Sequence, residues 1–369
     1  MLVTNPAFWA GQRVLLTGHT GFKGAWLALW LRGMGADVFG FSLPPATSPS
    51  LHALLGCWPG LGGCPGVLAD INDRAALASA FAAHRPGVVL HLAAQALVRP
   101  SYAAPVETFA TNVLGTVALL DAVRACPQTR AVVIVTSDKA YENREWAWPY
   151  REEDALGGHD PYSASKACAE IATAAMRRSF FGPGAGPGGG PGGGPGHHPA
   201  RIATARAGNV IGGGDWSPER LVPDIVRGLG AGEVVLRNPG AVRPWQHVLE
   251  PLAAYLLLAE KLAAGPGFEE AWNIGPDPAD SRPVREVAAA MLAALGQGRV
   301  VEAPEPGAPH EAHLLTLDSA RARAGLGWRP RWGFADAIGR TAAWYAAWAA
   351  GADMAAFTRA QIADFQAAA

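Results

Sequence analysis

Two short segments carry side chains that could move protons. Tyr162 and Lys166 are four positions apart, so both lie on one face if the segment is a helix. A phenol has a pKa of about 10 and acts as a base near neutral pH only when a cation favours the phenolate, which Lys166 would do. This spacing is frequent by chance and is equally typical of a structural helix. The upstream segment Ser137-Asp138-Lys139 adds a hydroxyl, an acid and an amine and favours a catalytic role.

A glycine-rich segment precedes these residues and has the spacing GxxGxxG. It reads Thr17-Gly18-His19-Thr20-Gly21-Phe22-Lys23-Gly24 and stands between a predicted strand and a predicted helix. Gly18 permits a tight turn, Gly21 allows backbone N–H groups to approach a pyrophosphate, and Gly24 allows the helix to pack close to the strand. The phosphates would lie at the positive end of the helix dipole. The segment predicts a dinucleotide site.

The second predicted strand ends near Ser42 without the acid that usually binds the ribose 2′-hydroxyl. No Asp or Glu stands between Gly40 and Cys57, and no Arg follows the strand to bind a 2′-phosphate. We therefore expect NAD rather than NADP. Asp70 and Ile71, after the third strand, are placed to meet the adenine; the alternative for Asp70 is a helix N-cap.

Short apolar runs alternate with helical patterns over the first part of the chain, which is typical of a parallel sheet flanked by helices. The alternation predicts an α/β fold with a Rossmann-type, doubly wound parallel sheet. The predicted strands are Arg13–Thr17, Asp37–Phe41, Val67–Asp70, Val88–Leu92, Ala131–Val135 and Arg201–Val210, with long helices at 22–33 and 106–126.

After Val210 the pattern changes to helices separated by proline-rich connections, at 221–229, 248–262, 284–295 and 335–348. We expect residues 1–210 to form the cofactor domain, with 245–275 returning to it. Residues 211–244 and 276–369 would form a smaller, mostly helical substrate domain. The segment 182–196 contains only Gly, Pro and one Ala, and we interpret it as a surface loop rather than a domain boundary.

Composition excludes several classes of protein. Half of the residues are hydrophobic and 17% are charged, the reverse of a disordered chain, although 45 Gly and 30 Pro are an excess. The formal charge of −1 indicates neither a nucleic acid nor a membrane surface as a partner. The four cysteines are scattered, so we expect reduced thiols, no metal site and a cytoplasmic location. His197 and His198 are expected to be solvated rather than metal ligands.

Several motifs in order resemble the extended short-chain dehydrogenase/reductase family. They are the glycine segment, His91-Leu92-Ala93-Ala94, Asn112 followed by Gly115-Thr116, Ser137 after the fifth strand, and the Tyr162/Lys166 pair. The resemblance runs from about Phe8 to Tyr345. It implies that Ser137 hydrogen-bonds the reacting oxygen and that Tyr162 is the acid/base. It further implies cofactor contacts from residues 18–24, 70–71, 92–94, Asn112, Tyr162 and Lys166.

Within that family, the acid directly after Ser137 makes this sequence similar to the nucleoside-diphosphate-sugar 4,6-dehydratases, which have an Asp at that position. The Asp138-Lys139 pair, with His19-Thr-Gly-Phe-Lys-Gly24, Gly157-Gly-His-Asp-Pro161 and the stretches 207–216 and 242–248, resembles the branch that acts on CDP-glucose. This resemblance implies Asp138 as the general acid and Lys139 as the base at C5. The alternative for Lys139 is to orient the substrate or polarise the 4-keto oxygen.

The resemblance also suggests substrate contacts from Gln95, Asn143, Asn209 and Arg243. Arg243 suits a diphosphate because its planar, charged fork is bidentate. Alternatives are a turn-closing role for Asn209 and a surface ion pair for Arg243. Trp216 is expected in the core.

Competing interpretations are a nucleotide-sugar 4-epimerase, a 4,6-dehydratase for another nucleotide sugar, a simple reductase, and a binding protein without chemistry. The resemblance further suggests a homodimer through helices near Val106–Cys126 and Tyr162–Phe181.

Overall fold

A computed structural model describes residues 4–56, 65–181, 198–303 and 312–368. The Gly/Pro segment 182–196 therefore lies outside the described residues, as do Cys57, Cys64 and His197. Of the other cysteines, Cys126 is a buried free thiol and Cys168 a half-buried one.

The strands in chain order are β1 Arg13–Thr17, β2 Asp37–Ser42, β3 Gly66–Leu68, β4 Val88–His91, β5 Ala131–Val135, β6 Arg201–Ala207, β7 Asn209–Ile211, β8 Glu233–Leu236, β9 Val242–His247, β10 Ala271–Ile274, β11 Ser281–Pro283 and β12 Arg299–Glu302.

The α-helices are α1 Pro6–Trp9, α2 Phe22–Gly33, α3 Leu51–Leu54, α4 Arg74–His84, α5 Val98–Ala103, α6 Pro105–Phe109, α7 Gly115–Arg124, α8 Pro161–Phe180, α9 Leu221–Gly228, α10 Leu249–Ala264, α11 Val284–Leu295, α12 Phe334–Ala349 and α13 Met354–Ala367. Short 3-10 turns stand at Asp138–Ala140, Leu229–Ala231 and Pro278–Asp280, and π-helical turns at Ala110–Leu114 and Ala322–Leu326.

Seven strands form one parallel sheet in the order β10-β6-β5-β4-β1-β2-β3. This order confirms the predicted Rossmann-type sheet. The chain reverses its direction of winding between β1 and β4, and the loops that follow these two strands diverge there. In open α/β sheets this reversal creates a crevice at the carboxyl ends of the strands.

Alternate residues of the central strands face two separate apolar layers, as the two-residue period of a strand requires. Val14 and Leu16 of β1 pack into the layer that α2, α10 and α13 cover. Leu15 packs into the opposite layer, beneath α4 and α7. Because both faces are covered, these strands are apolar along their whole length.

Two predicted elements are divided in the structure, and the third strand, predicted over Val67–Asp70, is observed at Gly66–Leu68. The strand predicted over 201–210 is divided at Gly208: β6 stays in the main sheet, and β7 pairs with β9 in a second sheet. The helix predicted over 106–126 is interrupted by the π-helical turn at Ala110–Leu114. By length and composition alone, Pro105–Arg124 could also cross a membrane; buried core helices of soluble proteins pass the same test.

The elements outside the main sheet stack at its carboxyl edge. They form a three-stranded sheet in the order β11-β9-β7 and a pair of strands, β12-β8, with α9, α11 and α12 against them. Trp216 is 8% exposed and contacts the rings of Trp344, Tyr345 and Trp348, which confirms its expected place in the core.

Candidate active site

A cavity of about 840 Å³ opens at the carboxyl edge of the main sheet, beside the β1/β4 reversal. Its walls come from the sheet on one side and from α9, β8 and β9 on the other. The predicted residues that line it are Gly18, Thr20, Gly21, Phe22, Lys23, Gly24, Asp70, Ile71, Leu92, Ala93, Ala94, Gln95, Ser137, Asp138, Lys139, Tyr162, Lys166, Asn209 and Arg243. His19, Asn112 and Asn143 are not among its lining residues.

The glycine segment has the geometry of a phosphate-binding turn. Gly18 has a φ of +74°, and a Cβ there would stand 2.8 Å from the backbone nitrogen of Ala93. A Cβ on Gly24 would overlap the carbonyl oxygen of Gly18, so the helix can approach the strand only without a side chain. The N-terminus of α2 has no side-chain cap, which leaves its first N–H groups facing the cavity. These features fit the pyrophosphate of a dinucleotide.

The far end of the turn is closed by hydroxyl groups rather than by an acid. The Thr20 and Ser42 hydroxyl oxygens are 2.7 Å apart, and Thr20 donates a 2.8 Å hydrogen bond to the carbonyl of Leu43. Asp70 lines the cavity and accepts a hydrogen bond from the backbone N–H of Asn72. The N-cap of α4 is Asp73, so the alternative that we considered for Asp70 belongs to Asp73.

Three polar side chains meet at the centre of the cavity wall, where β5 and α8 approach. The Ser137 hydroxyl donates to Asp138 Oδ1 at 3.0 Å and also hydrogen-bonds the phenol of Tyr162. Asp138 is 2% exposed, and its Oδ2 has no hydrogen-bond partner among the described residues. Burial raises the pKa of Asp138, which favours the protonated, proton-donating carboxyl.

The phenol of Tyr162 is placed by the start of α8. Asp160 caps this helix by accepting from the backbone N–H of Ser163 at 2.9 Å, and the N–H of Tyr162 donates to Ser101 Oγ at 3.1 Å. Burial raises the pKa of Tyr162, whereas its hydrogen bond with Ser137 and the charge of Arg220 oppose that rise. A further positive charge in the cavity would therefore be needed to favour the phenolate near neutral pH.

Lys166 lies one helical turn after Tyr162 and donates to the carbonyl of Val135 at 3.3 Å. Burial lowers the pKa of Lys166 to about 8, although the carboxylate of Glu170 acts in the opposite direction. Glu170 is held in a buried ion pair with Arg206 at 3.0 Å and accepts from Thr136 Oγ1 at 2.5 Å. Our sequence reasoning missed this pair; the continued four-residue spacing from Tyr162 through Lys166 to Glu170 was the available signal.

Lys23, in the first turn of α2, directs a second amine toward this cluster. Burial lowers the pKa of Lys23 to about 7, and the charges of Arg220 and Lys166 lower it further, whereas Asp138 and Asp215 act in the opposite direction. Arg220 and Asp215 are two further charged residues at the cavity that we did not predict. Arg220 lines the cavity from the substrate side and lies 3.9 Å from Asp215 Oδ2.

Asn112 and His19, two predicted cofactor residues that do not line the cavity, are buried next to residues that do or close to them. Asn112 lies in the π-helical turn, accepts from the backbone N–H of Gln95 at 2.9 Å, and donates to the Gln95 carbonyl and to Ser165 Oγ. His19 is buried against Gly40 and His52. Asn112 therefore fixes the loop that carries Gln95 to the cavity wall.

The four predicted substrate contacts separate into two groups. Gln95, Asn209 and Arg243 line the cavity, and Arg243 donates to the backbone carbonyls of Val242 and His313. The amide of Asn143 donates instead to the carbonyl of Leu314 and accepts from the Tyr150 hydroxyl, each at 3.0 Å. The structure does not bring Asn143 to the cavity, because its side chain closes the loop that precedes Tyr150.

A doubly wound sheet, an uncapped glycine turn and a Ser-Tyr-Lys cluster at its edge define a dinucleotide-dependent enzyme of the short-chain type. Residues 14–275 match the NAD dependent epimerase/dehydratase family, and the chain belongs to that family.

Within this family, the chain is similar to several nucleotide-sugar 4,6-dehydratases. The chain is 46% identical to the CDP-glucose 4,6-dehydratase of Salmonella typhimurium, over 98% of both chains. It is 32% identical to a dTDP-glucose 4,6-dehydratase of Streptomyces antibioticus, over 76% of this chain and 75% of the relative. Among solved structures, the dTDP-glucose 4,6-dehydratase of Streptomyces venezuelae with NAD bound has a TM-score of 0.74 at 25% identity and covers 93% of this chain and 100% of its own.

Proposed function

We propose that this protein is a CDP-glucose 4,6-dehydratase, a lyase that uses NAD and converts CDP-D-glucose to CDP-4-keto-6-deoxy-D-glucose and water. The observation that carries the proposal is the buried carboxyl of Asp138, whose Oδ2 has no hydrogen-bond partner among the described residues and whose Oδ1 accepts from Ser137, which also hydrogen-bonds Tyr162. An epimerase or a simple reductase would need Tyr162 and Ser137 but has no use for an acid beside them. The full-length similarity to the Salmonella typhimurium enzyme supports CDP-glucose as the substrate.

Each catalytic side chain has a separate task in this reaction. NAD, when bound, supplies the acceptor for a hydride from C4 of the sugar and the donor that returns it to C6. Tyr162 accepts the proton of the 4-hydroxyl while Lys166 stabilises its phenolate. The resulting 4-ketone acidifies the C5 proton, Lys139 removes that proton, and Asp138 protonates the departing 6-hydroxyl.

The walls of the cavity divide between the two ligands. The glycine turn, Asp70-Ile71 and residues 92–94 would hold the dinucleotide, which agrees with their position on the sheet side. Asn209, Arg243 and Gln95 would hold the nucleotide sugar. Arg243 lies in the proposed substrate domain, residues 211–244 and 276–369, whereas Gln95 and Asn209 reach the sugar from the proposed cofactor domain, residues 1–210 and 245–275.

We also propose a homodimer that works in the cytoplasm. Val106, Leu114 and Ile171 are 75%, 62% and 58% exposed, and they stand on the neighbouring segments Pro105–Arg124 and α8. A second copy that packed its own pair of helices here would remove this apolar surface from water. The free thiols of Cys126 and Cys168 support a reducing compartment.

Turnover across CDP-, dTDP-, GDP- and UDP-glucose tests the proposal. We expect CDP-glucose, without added cofactor, to give a product with the alkaline ultraviolet absorbance of a 4-keto-6-deoxy sugar, and the protein to release NAD on denaturation. Tyr162→Phe is the control and should give no product. A C4 epimer as the product, or faster turnover of another nucleotide sugar, would contradict the assignment.

A further inference from the structure

The proposed dehydration, on which this inference rests, leaves two side chains in the wrong protonation state after each turnover. Tyr162 begins as a phenolate and ends as a phenol, because it keeps the proton of the 4-hydroxyl. Asp138 begins protonated and ends as a carboxylate, because its proton leaves with the 6-hydroxyl as water. The C5 proton passes to Lys139 and back, so it does not change this balance. One proton must therefore move from Tyr162 to Asp138 before the next turnover.

The Ser137 hydroxyl lies between these two groups and is oriented by its neighbours. A hydroxyl has one proton to donate and two lone pairs to accept with. The backbone N–H of Lys139 donates to Ser137 Oγ at 3.3 Å, which leaves one lone pair of that oxygen to accept from Tyr162 once the phenol is protonated. The proton of Ser137 is directed to Asp138 Oδ1 at 3.0 Å. With a protonated Tyr162, the hydrogen-bond direction then runs from Tyr162 through Ser137 to Asp138.

Little of the surface of these three side chains is open to bulk water. Tyr162 and Ser137 are each 7% exposed and Asp138 is 2% exposed. Within the described part of the chain, Asp138 Oδ2 has no hydrogen-bond partner from which it could collect a proton. In the part of the chain that the structure describes, Ser137 forms hydrogen bonds with both ends of the required transfer.

We propose that Ser137 is a proton relay that resets the enzyme by passing the proton of Tyr162 to Asp138 after product forms. In this step the Tyr162 O–H bond breaks as a new O–H bond forms on Ser137 Oγ. The original Ser137 O–H bond breaks as an O–H bond forms on the Asp138 carboxylate. No electron leaves the group, and one negative charge moves from Asp138 to Tyr162.

The surroundings of the two end groups favour this direction. Lys166 lies one helical turn from Tyr162 and stabilises a phenolate there, whereas burial raises the pKa of Asp138 and favours its neutral carboxyl. Both effects therefore favour a phenolate at Tyr162 and a protonated Asp138, which are the protonation states that the next turnover needs.

Rapid quench of the Ser137→Ala variant with excess CDP-glucose tests the relay, because the first and later turnovers depend on it differently. The resting variant has equilibrated with solvent, so Asp138 starts protonated and one product per site should form in a burst. Later turnovers should be at least tenfold slower than the burst, since Asp138 must then collect a proton from solution. Raising the imidazole concentration at pH 7 should accelerate the later turnovers and leave the burst unchanged. Ser137→Thr keeps the hydroxyl and should show the parent ratio of burst to later rate.

Two results separate the two ways in which this reasoning could fail. If Ser137→Ala slows the burst and the later turnovers by the same factor, with no effect of imidazole, Ser137 acts only in oxidation at C4 and the relay is refuted. If the parent protein forms no 4-keto-6-deoxy product even in the first turnover, the proposed function itself has failed.

Discussion

The buried carboxyl of Glu250 should make this protein less stable as pH rises, and the size of the effect follows from its surroundings. Glu250 is 1% exposed in the first turn of α10. Its Oε1 accepts from the backbone N–H groups of Arg331 and Trp332 at 2.9 and 2.7 Å, while Oε2 has no partner among the described residues. Burial raises the pKa of Glu250 from 4.5 to about 7, and the two N–H groups oppose this rise.

The sign and magnitude follow from proton linkage. A raised pKa means that the folded protein binds this proton more tightly than the unfolded chain does. The contribution is therefore fully present below pH 4.5 and is lost as pH rises to about 7. At about 1.4 kcal/mol per pKa unit, the loss between pH 5 and pH 8 is about 2.5 kcal/mol.

Urea unfolding of the parent and of Glu250→Gln at pH 5 and pH 8 measures this loss. Glutamine does not titrate, so its stability relative to the parent should improve by about 2.5 kcal/mol from pH 5 to pH 8. Glu250→Ala is the matched control: it should show the same change with pH, but from a stability lower by about 2 kcal/mol because two buried N–H groups lose their acceptor. An unchanged difference between glutamine variant and parent at the two pH values would refute burial as the cause.

Three further predictions concern the site and the assembly. Lys139→Met should retain slow oxidation at C4 but lose exchange of the C5 proton with solvent, which NMR in deuterium oxide detects; undiminished exchange would remove Lys139 from the base role. Gly24→Ala should lose bound NAD at least tenfold more readily, because its Cβ would overlap the Gly18 carbonyl; unchanged retention after gel filtration would contradict the proposed phosphate turn. Leu114→Glu, which places a charge on the exposed apolar face beside Ile171, should halve the mass measured by light scattering; an unchanged mass would exclude this face as the dimer contact.

The fold could be predicted from the sequence because its signals are local. The strands β1 and β5 begin and end as expected, and α11 does as well, since apolar runs and helical spacing are set by neighbouring residues. The prediction of one undivided strand over 201–210 was wrong for a tertiary reason. A Cβ at Gly208 would stand 2.7 Å from Pro244, so the chain passes there to a second sheet, which no local pattern indicates.

The features of the site likewise separate into those that the sequence determines and those that depend on the tertiary structure. The sequence by itself determined the residue types and their order: the glycine turn, the Ser137-Asp138-Lys139 segment and the Tyr162/Lys166 pair, each readable from spacing of a few residues. Only the tertiary structure decided which groups meet. It brought Arg220 and Asp215 to the cavity, turned Asn143 away from it, and left one oxygen of Asp138 buried without a hydrogen-bond partner in the part of the chain that the structure describes. Burial and charge proximity depend on residues distant in the chain, and those two quantities set the protonation states on which the proposed reaction depends.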